Sequence, residues 1–520
     1  MNAIGQWALW LALFASALGG WAAIAGGALR KRGVVRAGAW AVHLATVLLA
    51  VSFAALGRAL WQSDFTVRYA ASFSSLIVPR AYQVGGLWGG PAGSLLVWTL
   101  CTALFASIAL IVHRRSHQDR WSVVVAVAGA VVAVLAAATV FAGDPFARLA
   151  AAIHDGRGLD PVLQSAWMLL HPPLLLAGTA ATLPLFAVTA AALWQGKLDD
   201  AWRSAARGWA FVSWILIVSG VVVGMRWAYT EPGWGGYWGW DPVEVAGAIP
   251  LVVLGVFVHV VGRERASRFE SATLALAPFP LTLAGAWAAR GDTFRTVHGF
   301  VQSDAGVAFA VIAAAATGVA VTLVWRRRAW LQEALEVRAA PRGVVASFAA
   351  KLSHAGILLF AVASAVMPLR REYTAALTTS GSYTARDLFG RPWTFTSQGA
   401  SRYAHNNFYI SALPLSVSRG GRRVGMITTE ERQPFDVDET DLAPPIVRVG
   451  SQASLLQDVQ VQLIAANETG AQVRIRFWPL ASFLWIGGGL VVLSGLLSLA
   501  SGAAGAPPEP DESAGVIAAA

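Results

Sequence analysis

Residues 227–242 read WAYTEPGWGGYWGWDP, which sets Trp227, Trp234, Trp238 and Trp240 with Tyr229 and Tyr237 among glycines, closed by Asp241. A loop at a membrane surface needs one or two Trp or Tyr as interface anchors, and six exceed that need. Flat rings on a glycine-permissive backbone can form a stacking platform for a flat ligand. An over-built aromatic belt is the plainer reading. Four of the nine histidines are placed to ligate a metal. His171 begins a His-Pro-Pro run before the platform and His298 follows it, both on segments that the charge pattern assigns to one face. A lone loop histidine is more often a solvated polar residue, but two on one face around a flat-ligand platform fit one metal centre. His259 lies four residues before Arg263 and His354 three residues after Lys351, so each sits about one turn inside the same leaflet. An unpartnered polar group in a span is costly. Histidines at equal depth on two helices can take a haem iron from both faces; a helix-to-helix hydrogen bond is the alternative. His43 is also in a span, with no partner at its depth, and reads as a buried hydrogen-bonding group. His113, His117 and His154 read as loop residues, and His405 as a surface residue.

The elements that must position these side chains are membrane helices. With 56% hydrophobic and 13% charged residues and a mean hydropathy of +0.56, the 520-residue chain is excluded from the soluble globular class. Apolar runs of about 20 residues, enough to cross a hydrocarbon core, occur at about 5–26, 37–60, 87–112, 121–142, 167–194, 209–226, 243–262, 272–290, 304–325, 345–367 and 480–500. This gives an all-α polytopic bundle of about eleven spans. The net charge of +10 does not mark a nucleic-acid binder, because the cations are concentrated in alternate loops. Eighteen Lys and Arg, from Arg30 to Arg342, fall in one set of short loops and seven, from Arg58 to Arg295, in the other. The first set faces the cytoplasm by the positive-inside rule. The N-terminus, the platform, His171 and His298 are then outside and the C-terminus inside.

Met1 to Gly27 lacks a basic region before its apolar run and reads as a retained first helix rather than a cleaved signal peptide. The single cysteine, Cys101, excludes an intramolecular disulfide and a CxxCH haem-attachment motif. Residues 1–368 form the bundle, with the platform at 227–244. Residues 369–478 alternate with period two, as in Val459 to Leu463 and Val473 to Phe477, and predict a small β-rich extracytoplasmic domain. Hairpin turns are expected at Gly420-Gly421 and at Asn467 to Gly470. Residues 479–501 are the last span, and 502–520, rich in Pro and Ala, read as a disordered cytoplasmic tail.

Four landmarks in order resemble the CcmF-type cytochrome c haem lyases and the related NrfE-type proteins of bacterial cytochrome c maturation. They are Leu87 to Trp98 (LWGGPAGSLLVW); Asp155 to Gln164 (DGRGLDPVLQ) running into His171-Pro-Pro; the tryptophan-rich signature, or WWD domain, Trp234 to Glu244; and Val297-His298. The resemblance covers Asp64 to about Asp304 and resumes near His354 and through the β domain. It implies that His171 and His298 are axial ligands to a substrate haem delivered by the chaperone CcmE. It also implies that His259 and His354 hold a permanent b haem. Two departures stand out: the family has Asn where this chain has Val245, and His-Glu where it has Pro91-Ala92. The stretch from His298 to His354 is shortened by an even number of spans.

The reaction so implied is addition of the two thiols of an apocytochrome c CxxCH motif across the haem vinyl groups. His171 and His298 would hold the iron, Trp234, Trp238 and Trp240 would orient the porphyrin, and Trp227 would bind it with them. Asp241 and Glu244 would fix the loop, and Arg226, Arg290 or Arg295 could pair with propionates or serve only as interface snorkels. The implied partners are CcmE, apocytochrome c with its CcmH/CcmI-type thiol-handling proteins, quinol as electron source and the lipid of the bacterial inner membrane. One rival is a haem transporter or loading factor without covalent chemistry. Another is an ion-translocating subunit, which would normally carry Lys or Glu within several spans.

Overall fold

The computed structural model describes residues 1–114, 120–151, 153–231, 236–263, 265–291, 294, 296, 298, 305–336, 344–435, 445–467 and 469–504. Trp234, Arg295, Val297, His117 and residues 505–520 of the expected tail lie outside them. Among the described residues, eleven stretches of helix are long and apolar enough to cross a membrane, in agreement with the count read from hydropathy. The chain is a multi-pass membrane protein with a separate β-rich region.

The helices are α1 (Asn2–Ala28), α2 (Arg32–Trp61), the short α3 (Arg68–Phe73) and α4 (Arg80–Gly89), α5 (Pro91–Val112), α6 (Trp121–Ala138), α7 (Ala166–Ala180) and α8 (Thr182–Gln195). They continue with α9 (Asp200–Thr230), α10 (Pro242–Val261), α11 (Arg268–Leu276), α12 (Pro278–Arg290), α13 (Ala305–Arg326), α14 (Arg328–Leu331), α15 (Val344–Val366) and α16 (Ala481–Ala504). Three expected spans differ in detail. The run 87–112 breaks at Gly90, where a Cβ would lie 2.1 Å from the Phe73 ring, so the span begins at Pro91. The run 167–194 is split at Ala181 into α7 and α8. The sixth span, α9, starts at Asp200, well before its apolar core, because the Asp199 carboxylate caps it by accepting from the Trp202 N–H at 2.9 Å.

Some of the cations counted as cytoplasmic close helix ends. Arg203 Nε donates to the Val261 carbonyl at the end of α10 at 2.8 Å, and Arg327 Nε donates to Leu193 O near the end of α8 at 2.9 Å. Each satisfies a terminal carbonyl and opposes the negative end of the helix dipole. Two short strands, β1 (Arg265–Ser267) and β2 (Ala334–Glu336), pair antiparallel on the same side of the bundle. The pairing ties the chain after α13 back to the turn after α10.

Strands β3 (Arg371–Thr378) to β12 (Gly470–Pro479) form two antiparallel sheets. One has the order β10 (Gly450–Gln452), β11 (Gln457–Asn467), β12, β3. The other has the order β4 (Ser382–Arg386), β5 (Pro392–Ser397), β7 (Phe408–Arg419), β8 (Arg422–Pro434), β9 (Ile446–Arg448), with β6 (Ser401–His405) beside β7. Their inner faces share one apolar cluster that includes Trp393, Phe395, Leu415, Val461, Ile475 and Phe477. The β7–β8 hairpin turns on Gly420 and Gly421 at φ +56° and +80°, as that dipeptide predicts. In the β11–β12 turn, Asn467 Oδ1 accepts from the N–H of Thr469 and Gly470.

The β region stands on the last turn of α9. Tyr229 donates its hydroxyl to Asp458 Oδ2 at 3.1 Å, and its carbonyl accepts from Gln460 Nε2 at 2.9 Å. The Thr230 carbonyl accepts from the Val449 N–H at 3.2 Å. Burial pushes the Asp458 carboxyl above the ordinary carboxylate range, against the opposing effect of its hydrogen bonds from Ser454 and Tyr229.

Candidate functional site

His171 lies on α7 in a helix that contains two prolines, Pro172 and Pro173. Pro172 has no N–H to give to the Met168 carbonyl one turn earlier. The indole of Trp88 supplies it, Nε1 donating to Met168 O at 3.1 Å. The first two landmarks of the sequence are thereby joined in one hydrogen bond. His171 Nδ1 is 2.7 Å from the Gly220 carbonyl on α9, which can only accept, so the proton is on Nδ1 and Nε2 presents a lone pair. The ring lies against Gly224, where a Cβ would fall 2.4 Å from Cε1. Glycine is what lets α9 approach this imidazole.

His298 is held by the other flank of the platform. Its Nδ1 is 3.1 Å from Asp241 Oδ1, and its backbone N–H donates to Thr296 Oγ1 at 2.9 Å. Thr296 Oγ1 in turn donates to Asp241 Oδ1 at 2.7 Å. The same carboxylate caps α10 by accepting from the Val243 N–H at 2.9 Å, while Glu244 Oε2 accepts from the N–H of Asp241 at 3.1 Å and of Gly239 at 2.9 Å. This capping box fixes the end of the aromatic loop. Asp241 therefore sets both the helix start and the tautomer of His298, and the second task was not legible from spacing. A histidine that donates one nitrogen to a carbonyl or carboxylate and leaves the other free is the usual arrangement of a metal ligand. His298 lies within electrostatic reach of the His171 ring.

Trp240 is 79% exposed, with its backbone in the left-handed region at φ +57°. A bulky residue seldom adopts that conformation, and strain of this kind concentrates at functional sites. The Trp238 ring stands edge-on to it at 6.2 Å. Trp227, expected among the ligand-binding residues, is instead 2% exposed. Its Nε1 donates to the Val162 carbonyl at 3.3 Å, so it clamps the Leu159 to Leu163 segment to α9 rather than serving the platform. Tyr229 is likewise used in seating the β region. Of the cations considered for propionates, Arg290 is 3% exposed and donates to Pro91 O and Ser94 Oγ on α5, at 3.3 and 3.1 Å. It braces α12 against α5 and is already committed.

The second pair is brought together as the matched depths anticipate. The His259 and His354 rings are 5.8 Å apart between centroids at 86°. Two imidazoles bonded at about 2 Å to opposite faces of one metal ion have centroids about 6 Å apart. Each Nδ1 hydrogen-bonds to the carbonyl four residues earlier, Gly255 O at 2.8 Å and Ala350 O at 2.7 Å, so Nε2 is again the free nitrogen. Both side chains are exposed at the edge of the bundle. Helix α15 reaches the core through α16, where Gly356 and Gly487 approach so closely that a Cβ on Gly356 would lie 2.7 Å from Gly487 O. The donor set and spacing fit a bis-histidine haem.

Two of the five remaining histidines have aromatic partners. His43 meets Trp40 on its own helix at 5.6 Å, and His113 Nε2 accepts from Trp209 Nε1 at 2.9 Å.

Residues 88–284 match the cytochrome C assembly protein family, from Trp88 to the helix that precedes His298. This segment is similar to that family over 88–284. The cytochrome c-type biogenesis protein ccl1 of Rhodobacter capsulatus is 34% identical over 289 residues, which cover 55% of this chain and 44% of that protein. CcmF of Escherichia coli is 36% identical over 303 residues, 57% of this chain and 46% of that protein. The chain thus aligns with about half the length of the curated relatives it matches. A solved cytochrome c haem lyase CcmF superposes with a TM-score of 0.74 over 96% of this chain and 98% of that one, at 20% identity. That likeness establishes the fold. The matched segment contains His171, Gly220, Gly224, the aromatic loop, Asp241 and His259, whereas His298, His354 and the β strands lie beyond it.

Proposed function

We propose that the chain is a cytochrome c haem lyase of the bacterial inner membrane. The observation that carries this reading is the pair His171 and His298, each with its Nδ1 proton tied to a fixed acceptor and its Nε2 free, on either side of an exposed aromatic loop. Haem received from a CcmE-type chaperone would be ligated by these two nitrogens and laid against Trp238 and Trp240, with Trp234 on the same loop. Each cysteine S–H of the apocytochrome then adds across one vinyl group, sulfur bonding to the carbon next to the ring and hydrogen to the terminal carbon. The addition is redox-neutral and needs ferrous iron. Holding thiol and vinyl in attack geometry is the protein's main contribution, since orientation of this kind can remove up to about 7–11 kcal/mol of barrier.

His259 and His354 would hold a b haem whose chemistry there is electron transfer, with quinol as the source, to keep the substrate iron ferrous. From Val243 to His259 along α10 is about 24 Å at 1.5 Å per residue, so the two pairs serve separate centres. CcmH/CcmI-type proteins would present the reduced apocytochrome at the outer face.

The test is covalent haem staining of a reporter cytochrome in a strain lacking its native lyase. The His171→Ala, His298→Ala double variant should give no holocytochrome while keeping the membrane-haem spectrum; normal maturation refutes the site. Purified wild type that accepts haem from a loaded chaperone with reductant yet forms no thioether would instead identify a loading factor.

A further inference from the structure

Arg226, on α9 two residues beyond the glycine that accommodates His171, is surrounded by three aromatic rings from three helices. Its Cζ lies 6.0 Å from the Trp167 ring on α7, 5.6 Å from Tyr229 on α9 and 5.0 Å from Trp485 on α16. A snorkelling arginine extends along apolar surface into water; this one is half-buried inside the bundle's outer end. Among the described residues no carbonyl or carboxylate accepts from its guanidinium, although five N–H groups are available. The Asp458 carboxylate feels its charge, but Asp458 is taken up by Tyr229 and Ser454.

A second donor at the same place also lacks an acceptor. Among the described residues, Trp485 Nε1 is buried without a hydrogen-bond partner, in the ring that faces Arg226. Buried indole N–H groups ordinarily find an acceptor, because leaving one unmet is costly. Two donors in one aromatic cluster, one of them cationic and in a forked geometry, suit a carboxylate. Trp167 is one helical turn before His171 on α7, so it lies on the same face of that helix as the ligating imidazole. Propionates lie at the porphyrin's edge, remote from its iron.

Building on the lyase reading, we propose that Arg226 and Trp485 Nε1 form a carboxylate pocket that grips one propionate of the haem held by His171 and His298. The pocket fixes the rotation of the porphyrin about the iron–histidine axis, which the axial ligands alone leave free. It thereby decides which edge, and so which vinyl groups, the apocytochrome meets.

The test compares haemin with its dimethyl ester, whose propionates carry no charge, on the detergent-solubilised full chain. Outer-site binding is taken as the Soret change that the His171→Ala, His298→Ala double variant loses. Wild type should bind haemin at least about tenfold more tightly than the ester, the value of one charge-assisted hydrogen bond. In Arg226→Gln that ratio should fall to about one, in Trp485→Phe it should fall in part, and Arg226→Lys should restore some of it. The reduced spectrum of the membrane haem reports that each variant is folded. Equal affinity of wild type for both probes, as expected if the pocket takes a lipid headgroup or nothing, overturns the proposal, as does an unchanged ratio in Arg226→Gln. A double histidine variant that loses no Soret change overturns the lyase site itself, and so separates the two failures.

Discussion

Asp241 and His298 are joined through a single carboxylate oxygen that also caps a membrane helix: Oδ1 is 3.1 Å from His298 Nδ1 and accepts the Val243 N–H at 2.9 Å. The start of α10 and the orientation of the His298 ring are therefore set by one atom. Asp241→Ala should weaken haem capture at the outer site about 10- to 100-fold, the usual loss when a ligand's hydrogen-bond partner is removed. It should also cost about 1 kcal/mol of stability through the lost cap. Asp241→Asn keeps an acceptor oxygen and a good cap, and should fall between. Haem titration followed at the Soret band, beside thermal unfolding, separates the effects; wild-type affinity in Asp241→Ala would remove Asp241 from the site.

Gly224 offers a sharper steric test. A methyl group there would sit 2.4 Å from Cε1 and 2.5 Å from Nδ1 of His171, and one of the two must move. Gly224→Ala should displace the ring, break its bond to Gly220 O and abolish outer-site haem binding, though alanine is the better helix former. Gly208→Ala is the control on the same helix, because nothing lies within 4 Å of its Cβ position. It should leave binding intact and stabilise α9 by up to about 1 kcal/mol. If both variants bind haem like wild type, the close approach of α9 is not what positions His171.

What could be read in the sequence follows from the range of the forces involved. Hydropathy is a local property, so the eleven spans and the alternating strands were legible. The depth of His259 and His354 was legible because a basic loop a few residues away marks the membrane edge. The surroundings of His171 were not, since its acceptor Gly220 lies 49 residues away, and the Trp88 indole that compensates Pro172 lies 80 residues from the Met168 carbonyl it bonds. Trp227 and Tyr229 were misassigned to the platform because composition cannot tell an indole that faces a ligand from one that clamps a helix. The helix period was the available signal: α9 runs on to Thr230, which places Trp227 seven residues after Gly220 and on the packed face of the helix.

The β region should show an acid-sensitive step centred on Asp387. Burial alone would raise this carboxyl, but hydrogen bonds from Gln457 Nε2, the Arg391 N–H, Trp393 Nε1 and the Phe389 N–H outweigh it and hold the group below the ordinary carboxylate value. Because the folded value lies below the unfolded one, near 3.9, the stabilisation is complete above that pH and is lost as pH falls through the folded value. Asp387→Asn places an amide against the Trp393 and Gln457 donors and should cost about 1–3 kcal/mol at neutral pH. It should also flatten the decline in melting temperature below about pH 4. An unaltered acid profile in the variant would assign the step to another carboxylate.

Topology gives an independent check on the outer site. By the positive-inside rule, eighteen cations against seven would place the β strands, the aromatic loop and both histidines that flank it on the side opposite the cytoplasm. A phosphatase reporter, active only outside the cytoplasm, should be active when fused after Gly381 in the β3–β4 turn, and a cytoplasm-dependent reporter at that point should be silent. The reverse pattern would put the aromatic loop in the cytoplasm, where no apocytochrome is matured, and would end the lyase reading.

The membrane pair makes the most direct spectroscopic prediction. His259 and His354 come from helices that meet at these rings, 5.8 Å apart, with both Nδ1 protons committed to backbone carbonyls. That spacing is about right for one metal ion between the rings and too long for a hydrogen bond between the two Nε2 atoms to be the reason for it. The purified protein should therefore show the reduced spectrum of a low-spin b-type haem and a matching pyridine haemochrome. His259→Ala or His354→Ala should remove most of that signal, while the outer site, about 24 Å along α10, should still take up added haemin. Full haem retention in both alanine variants would show that the rings meet for another reason.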